Sequence, residues 1–208
     1  VVAWLRGALD ADVYISPPGL VQRRTDGVLD SALAARLAAA PGVAAAARIR
    51  STTITLNNST IQLVASSAPP QARAHVRFRQ AAPDVWARWA AGGALISEPL
   101  AYRLGLALND SLTLPAAQGP TRLPIVGIYY DYASDLGIVM LDMPVYQRLF
   151  HDDAISGLGL YAAPGQDVDA LVQALREEAA RAGQRLHIRS NRALLAASLA
   201  VFDRTFAI

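Results

Sequence analysis

The chain is organised around two neighbouring stretches, ALISEPLAYRLGLALNDSLTL (residues 94–114) and LPIVGIYYDYASDLGIVMLD (residues 123–142). In the first stretch Ser97 can cap a helix, and the Glu and Pro that follow it are favoured or tolerated in the first helical turn. Gly105 stands where a left-handed residue ends such a helix. The second stretch is dense in β-branched and aromatic residues, which favour strands. Together they predict a strand, a helix and three further strands.

The predicted helix has one apolar side, formed by Leu100, Leu104 and Tyr102. Apolar residues that recur at helical spacing are typical of a face that packs against a core. We therefore expect this side of the helix to be buried.

Aromatic residues are concentrated in and near the predicted strand Leu123 to Tyr132. Side chains alternate along a strand, so Tyr130 and Tyr132 share one face and Tyr129 takes the other. One set should be buried and the other available to a partner, because aromatic side chains are enriched at protein interfaces. The residues predicted to bind a partner are Trp86, Tyr129, Tyr130 and Tyr132.

The amino-acid sequence of the central stretch resembles that of a known protein family. SEPLAYRLGL (residues 97–106) and VGIYYDYASDLGIVMLD (residues 126–142), with the ending RSNR…FDRTFAI (residues 189–208), are similar to the extracytoplasmic domain of FtsX-like ABC transporter permeases of the MacB and LolC/LolE types. One departure is Asn109, which stands where a Gly is expected before the Asp. The resemblance covers nearly the whole chain.

Composition limits the possible functions. The chain has 208 residues, of which 53% are hydrophobic and 17% charged, so it can bury a sizeable core. Its formal net charge is only +2, and its arginines are scattered among acidic residues, which argues against a nucleic-acid partner. It contains no Cys, which removes disulfides, thiolate metal sites and thiol catalysis.

The two ends of the sequence suggest a membrane context. The chain opens with VVAWLRG and stops at VFDRTFAI, inside an apolar helical pattern. The uncharged run Ala193 to Phe202 is far shorter than the roughly 20 residues that cross a bilayer. We interpret the sequence as a loop between two membrane spans, and we expect its termini to lie side by side.

The best internal boundary is Ser66 to Gln71 (SSAPPQ), which is expected to be an extended connector. The segments on either side of the central region each contain strands and helices. We expect strands at Asp10 to Ser16, Val43 to Leu56, Thr60 to Ala65, Arg73 to Arg79, Ser156 to Tyr161 and Leu186 to Arg189, and helices beginning at Asp30 or Ser31, Pro83, Pro144 and Asp167.

The predicted fold class is α+β. Residues 1–68 and 154–208 form a discontinuous lobe with two βα-containing halves, and residues 69–153 form an inserted mixed α/β lobe. The resemblance implies the same division, with a porter-like lobe next to the membrane and an inserted distal lobe.

His151-Asp152-Asp153 is the only place where a His adjoins carboxylates, a combination that can bind metal or transfer protons. Adjacent side chains point in different directions, however, and a His is at home at a helix end. We interpret the cluster as structural. His75 and His187 are interpreted as ordinary surface or half-buried histidines.

The remaining polar candidates carry no complete catalytic pattern. Asp131 and Asp135 more often cap backbone amides than act as an acid–base pair, and Ser97 lacks the G-x-S-x-G frame of a nucleophile. No phosphate-binding loop occurs in the sequence. We expect no cofactor, no metal and no enzymatic activity.

The resemblance therefore implies a non-enzymatic domain of a permease in the cell inner membrane, with this domain periplasmic or extracytoplasmic. Its expected partners are transmembrane helices of the same permease, a separate ATPase on the cytoplasmic side, and a lipoprotein, lipid or periplasmic adaptor. The alternatives are a small-molecule sensor between two spans and a hydrolase; a deep polar pocket would favour the sensor, and a nucleophile beside a His the hydrolase.

Overall fold

The structure is a computed structural model that describes residues 11–18, 27–131, 134 and 136–197. Tyr132, Asp135 and both chain ends lie outside the described residues. The prediction that the termini lie side by side concerns those ends and stays a prediction.

The described residues form strands and helices in alternation. The strands are β1 (Val13–Ser16), β2 (Val43–Leu56), β3 (Ser59–Ser66), β4 (Phe78–Ala81), β5 (Ala94–Ser97), β6 (Ser111–Ala116), β7 (Gly119–Tyr129), β8 (Ile138–Asp142), β9 (Gly157–Ala162) and β10 (His187–Ser190). The helices are α1 (Ser31–Ala38), α2 (Pro70–Arg73), α3 (Val85–Ala90), α4 (Glu98–Leu104), α5 (Met143–Phe150) and α6 (Val168–Arg181). Residues 191–197 are also helical. The predicted unit of strand, helix and three strands is confirmed as β5, α4, β6, β7 and β8.

Two short elements differ from the sequence prediction. The expected extended connector ends in the helix α2. Pro70 is the first residue of this helix, a position that the proline ring favours. The expected strand from Arg73 to Arg79 is wrong for most of its length, because Arg73 ends that helix and only Phe78–Ala81 pairs as a strand.

The chain divides into two compact units. The first contains the described residues up to Ala47, Pro69–His75, and those from Ile155 onward. The second contains Arg48–Ala68 and Val76–Ala154. Compared with the predicted boundaries, most of the β2–β3 hairpin belongs with the central region. The reason is that residues Gln62–Ser66 of β3 pair with β8.

In the first unit β1 is central. It pairs antiparallel with β9 on one side, through Val13 and Leu160, and with β10 on the other, through Val13 and Ser190. The N-terminal and C-terminal segments therefore share one sheet, as predicted. Asp30 caps α1 by accepting from the N–H of Leu33. The side chains of Ile15, Leu33 and Leu37 are among those fully buried here.

In the second unit the strand order is β2, β3, β8, β5, β7 and β4, with β6 paired to β7. The β3–β8 and β5–β7 pairs are parallel and the others antiparallel, so the sheet is mixed, in agreement with the predicted fold class. Its main core lies against α4 and α5 and includes Ile61, Leu63, Ile96, Leu100, Leu114, Ile125, Val139 and Leu141.

A smaller aromatic cluster accompanies the short helix α3. The ring of Trp86 meets those of Phe78 and Trp89 edge to face, with centroids 5.6 and 5.5 Å away. Trp89 is completely buried, and its indole N–H donates to the carbonyl oxygen of Met140 at 3.1 Å. Gly127 is needed beside this cluster, because a Cβ there would lie 2.9 Å from the Phe78 ring. The cluster fixes α3 to the sheet.

Within the described residues, no helix has both the length and the apolar character needed to cross a membrane.

Candidate functional site

Several exposed side chains meet at one end of the sheet in the second unit. Tyr129, the last residue of β7, lies opposite Phe78 on β4 and opposite Ser97 on β5. Their chain neighbours Arg77, Glu98 and Tyr130 therefore lie at the same end of the sheet. The N–H of Tyr130 donates to the carbonyl oxygen of Arg77 at 2.9 Å, which joins these two residues directly.

Helix α4 begins at this end and extends the surface. Tyr102 is 87% exposed, so the predicted burial of this side chain is wrong. It lies one turn after Glu98, which forms an ion pair with Arg79 at 2.9 Å. On the other side of Tyr102, the guanidinium of Arg103 donates to the carbonyl oxygen of Leu136. We call the resulting patch the tyrosine surface: Arg77, Arg79, Glu98, Tyr102, Arg103, Tyr130 and Leu136.

The structure separates the four residues predicted to bind a partner. Tyr130 is 47% exposed, whereas Tyr129 is only 5% exposed, which confirms the predicted alternation for this pair. Trp86 is half-buried in the aromatic cluster. Tyr132 lies outside the described residues.

Sequence reasoning missed Tyr102 as a surface residue. A helical wheel contains the signal: α4 buries the adjacent Leu100 and Ala101, and with about 3.6 residues per turn Tyr102 points to nearly the opposite side of the helix. The sequence prediction groups Tyr102 with Leu100 and Leu104 on one apolar side, and its angular position argues against that grouping.

The hydroxyl of Tyr129 is buried, and within the described part of the chain it has no hydrogen-bond partner. Burial raises the pKa of Tyr129 well above its ordinary value, and the nearby charge of Asp131 raises it further. The side chain is therefore neutral at physiological pH.

The His151-Asp152-Asp153 cluster has a structural role through its central residue. Asp152 Oδ2 accepts from Arg50 Nε and from the Tyr146 hydroxyl, both at 2.7 Å. Its Oδ1 accepts from the N–H of Ala154 at 2.9 Å. His151 ends α5 with a left-handed backbone, φ 52°. The carboxylate thus joins β2, α5 and the turn that follows α5.

These contacts shift the pKa values of both Asp152 and Tyr146. Partial burial opposes ionisation of Asp152, but hydrogen bonds from Tyr146, Ala154 and Arg50 outweigh it and hold the pKa of the carboxyl below its usual value. Burial, followed by the hydrogen bond to the Asp152 carboxylate and its charge, raises the pKa of Tyr146 to about 12.

The other polar candidates are engaged by the backbone or stand apart. Ser97 is 1% exposed, and its hydroxyl oxygen accepts from the N–H of Ile138 at 3.0 Å. His75 Nδ1 lies 2.9 Å from the carbonyl oxygen of Gln71. Among the residues that the structure describes, no group of three His, Asp or Glu side chains is placed to hold a metal ion.

The first unit contains an open cavity of about 740 Å³ between the start of α6 and residues 190–196. Three carboxylates line it, and each already has a partner. Asp12 accepts from the N–H of Ala162 at 2.8 Å, Asp167 caps α6, and Asp169 pairs with Arg192.

Comparison with known proteins identifies relatives. Residues 2–178 match the MacB-like periplasmic core domain family. An uncharacterized ABC transporter permease protein of Mycobacterium tuberculosis is 31% identical over 212 aligned residues, which span 99% of this chain and 25% of that protein. The chain thus corresponds to about a quarter of the length of this relative.

Two solved structures share the fold. The periplasmic region of MacB from Actinobacillus actinomycetemcomitans superposes with a TM-score of 0.66 at 10% identity, over 93% of this chain and 94% of that one. The extracellular domain of the transporter YknZ from Gram-positive bacteria gives 0.55 at 11% identity, over 86% and 98%.

The first prediction concerns acid stability. Asp152 has a lowered pKa in the folded state, so its contribution to stability is present above the unfolded pKa near 4 and is lost as the pH falls through the folded value. Asp152→Asn should lower the free energy of unfolding at pH 7 by about 1 to 2 kcal/mol and weaken its dependence on pH below about 4. Urea unfolding from pH 3 to 7 measures both. The neighbouring exposed Asp153→Asn is the control and should change neither; equal effects of the two variants would contradict this role of Asp152.

The second prediction concerns alkaline stability. The pKa of Tyr146 is raised from about 10 to about 12, so the folded state favours the neutral phenol, and this contribution is lost as the pH rises from 10 to 12. Tyr146→Phe should remove this part of the alkaline loss of stability, measured by thermal unfolding between pH 9 and 12. Tyr102→Phe, which removes a hydroxyl from an exposed ring, should follow the unmodified chain. A Tyr146→Phe profile parallel to that of the unmodified chain would disprove the assignment.

Proposed function

Because the chain belongs to the MacB-like periplasmic core domain family, we propose that it is the extracytoplasmic domain of an ABC transporter permease. The observation that carries this proposal is the family match over residues 2–178. The permease identity of the Mycobacterium tuberculosis relative supports it over the full length of this chain. The family was already predicted from the central stretch and the chain ending.

We further propose that the domain transmits ATP-driven movement of membrane helices to a substrate or partner outside the membrane. Its own partners would be transmembrane helices of the same permease, and a separate ATPase subunit or domain would act on the cytoplasmic side. The sequence contains no phosphate-binding loop, so nucleotide chemistry belongs to that other component.

The predicted arrangement of lobes is kept as part of the proposal. The outer segments would form the membrane-proximal lobe, and the region 69–153 would be distal and carry recognition. Recognition suits the second unit, because its loops and strand ends present large side chains that the core does not use. With most of the β2–β3 hairpin included, this unit is larger than the sequence boundary implied.

The proposed recognition site is the tyrosine surface together with the edge of Trp86. Tyr130 and Tyr102 offer rigid aromatic area, and Arg77 and Arg103 provide guanidinium groups of the kind that interfaces favour. Tyr129 no longer belongs to this site, since its side chain is buried. A lipoprotein, a lipid or a periplasmic adaptor protein would be the bound species.

A small-molecule sensor is the second candidate, and the 740 Å³ cavity of the first unit is the observation that favours it. The partners already held by Asp12, Asp167 and Asp169 weigh against it, because a ligand would have to displace them.

The third prediction tests the location of the domain. Thr113→Cys places one thiol on an exposed strand position in a chain that contains no Cys. In intact cells that make the full-length permease, a membrane-impermeant maleimide should label this variant above the level seen for the parent carrying the same flanking sequence. Labelling that requires permeabilised cells would place the domain in the cytoplasm and end the proposal.

The fourth prediction tests the recognition site. In the full-length permease, Tyr130→Ala and Tyr102→Ala should each weaken transport or partner binding by about 1 kcal/mol or more, since truncated aromatic side chains lose contact area at an interface. Complementation of cells that depend on the permease measures transport. The melting temperature of the purified domain should stay nearly unchanged, because both side chains lie outside the core.

Thr113→Ala, also on an exposed strand position, is the matched control and should behave like the parent. Transport that survives both tyrosine substitutions but fails after changes near Arg192 would move the working surface to the membrane-proximal lobe.

A further inference from the structure

The hydrogen-bond pattern of the β2–β3 hairpin leaves a free strand edge. The N–H of Ser67 donates to the carbonyl oxygen of Arg48 at 3.0 Å, which makes these two residues a hydrogen-bonded pair. Because bonded and non-bonded pairs alternate in an antiparallel ladder, every second residue of β2 after Arg48 also bonds to β3. The intervening residues Thr53 and Thr55 therefore direct their N–H and C=O groups away from β3.

Nothing among the described residues pairs with this edge at Thr53 and Thr55. Both residues are exposed, and no strand pairing or loop hydrogen bond reaches their outward backbone groups. The neighbouring strand β9 has six residues, and beside its end the N–H of Ala163 donates to the carbonyl oxygen of Gly42, which precedes β2; β9 is therefore too short to reach Thr53. Four backbone groups, two donors and two acceptors, face outward here.

The β6–β7 hairpin is protected against strand addition. Its cross-strand pairs include Pro115 with Pro120 and Ser111 with Pro124. The two-residue turn makes Ala116 and Gly119 a bonded pair, so these three prolines stand at positions whose N–H would point outward. Proline supplies no donor there, which blocks a further strand.

The opposite edge of the sheet is protected in another way. Strand β4 has only four residues, and its pairing with β7 shifts between Phe78 and Gln80 around the charged Arg79. Short length, a bulge and a charged side chain all discourage edge pairing. The free edge of β2 has none of these features: the segment Ser51 to Leu56 reads STTITL, uncharged and rich in β-branched residues.

We propose that this edge pairs with the same edge of a second copy of the chain. In an antiparallel arrangement about a two-fold axis at Ile54, Thr53 lies opposite Thr55 of the second copy, and Thr55 lies opposite Thr53 of the second copy. All four outward backbone groups of each copy then find partners in the other.

The register also avoids repulsion between the copies. Arg50 comes to lie opposite Asn58 of the second copy, so no like charges face each other. The exposed threonines form two cross-strand pairs, and the two Ile54 side chains meet on the other face. A contact of so few residues falls below the roughly 1,000 Å² of a stable interface, so the pairing is transient in solution and is best detected by covalent trapping.

The absence of native Cys makes the trap specific. Thr53→Cys and Thr55→Cys chains, one carrying a size tag, are mixed and oxidised with copper phenanthroline. Residues 53 and 55 oppose each other in the proposed register, whereas two copies of residue 53 lie diagonally apart, beyond the roughly 7 Å between Cα atoms that a disulfide tolerates. Disulfide-linked heterodimers should therefore exceed either homodimer several-fold.

Thr113→Cys is the matched control, because it places an exposed thiol on the proline-protected hairpin; its dimer yield defines the background. A second variant pair, Thr53→Lys and Thr55→Lys combined in one chain, should reduce self-association seen by sedimentation at high concentration, with an unchanged circular dichroism spectrum. Heterodimer yields no higher than the Thr113→Cys background would overturn the proposal, and so would crosslinking with no preference for the 53–55 pair, which indicates random collision.

Discussion

The parallel pairing of β3 with β8 is the constraint on which the second unit depends. It begins where the N–H of Gln62 donates to the carbonyl oxygen of Gly137 at 3.0 Å, and it continues through five residue pairs. It brings Ile61 and Leu63 from the hairpin against Val139 and Leu141 from the central stretch, and all four side chains are buried. Without this pairing, β2 would be the only strand beside β3, and a two-stranded hairpin by itself is marginally stable in water.

This same pairing shows which parts of the fold could be read from the sequence. Local signals were reliable: Gly105 ends α4 with φ 63°, and Asp167 caps α6 through the N–H groups of Asp169 and Ala170. The position of the hairpin was not predictable, because parallel partners far apart in the chain leave no local pattern. The proline-rich connector lies where the compact units divide between Ala68 and Pro69, and a further division falls inside β2, between Ala47 and Arg48, where no local pattern indicates it.

Burial of the side chains in the candidate site was predictable where it follows from the alternation of a strand. It was not predictable where it depends on packing between elements. The alternation of Tyr129 and Tyr130 follows from the period of a strand, although its direction required knowledge of which face meets the Phe78 ring. Trp86 and Trp89 belong to one helix turn, yet the first is half-buried and the second completely buried. Trp86 makes both edge-to-face ring contacts, whereas the indole N–H of Trp89 donates to the carbonyl oxygen of Met140 in the sheet, and the sequence encodes none of these contacts locally.

In the second unit, the residues that stabilise the fold differ from those of the proposed recognition site. Ser97 and Asp152, the polar residues considered as catalytic candidates, have structural roles. Each accepts a hydrogen bond from a backbone N–H, and Asp152 also forms an ion pair with Arg50. The exposed rings of Tyr102 and Tyr130 belong to none of the buried clusters in the described residues. A change at Ser97 would leave the N–H of Ile138 unsatisfied in the interior, which costs about 1 to 3 kcal/mol. A change at Tyr102 carries no such penalty, because its ring is exposed; if the tyrosine surface binds a partner as proposed, its residues could therefore change without loss of the fold.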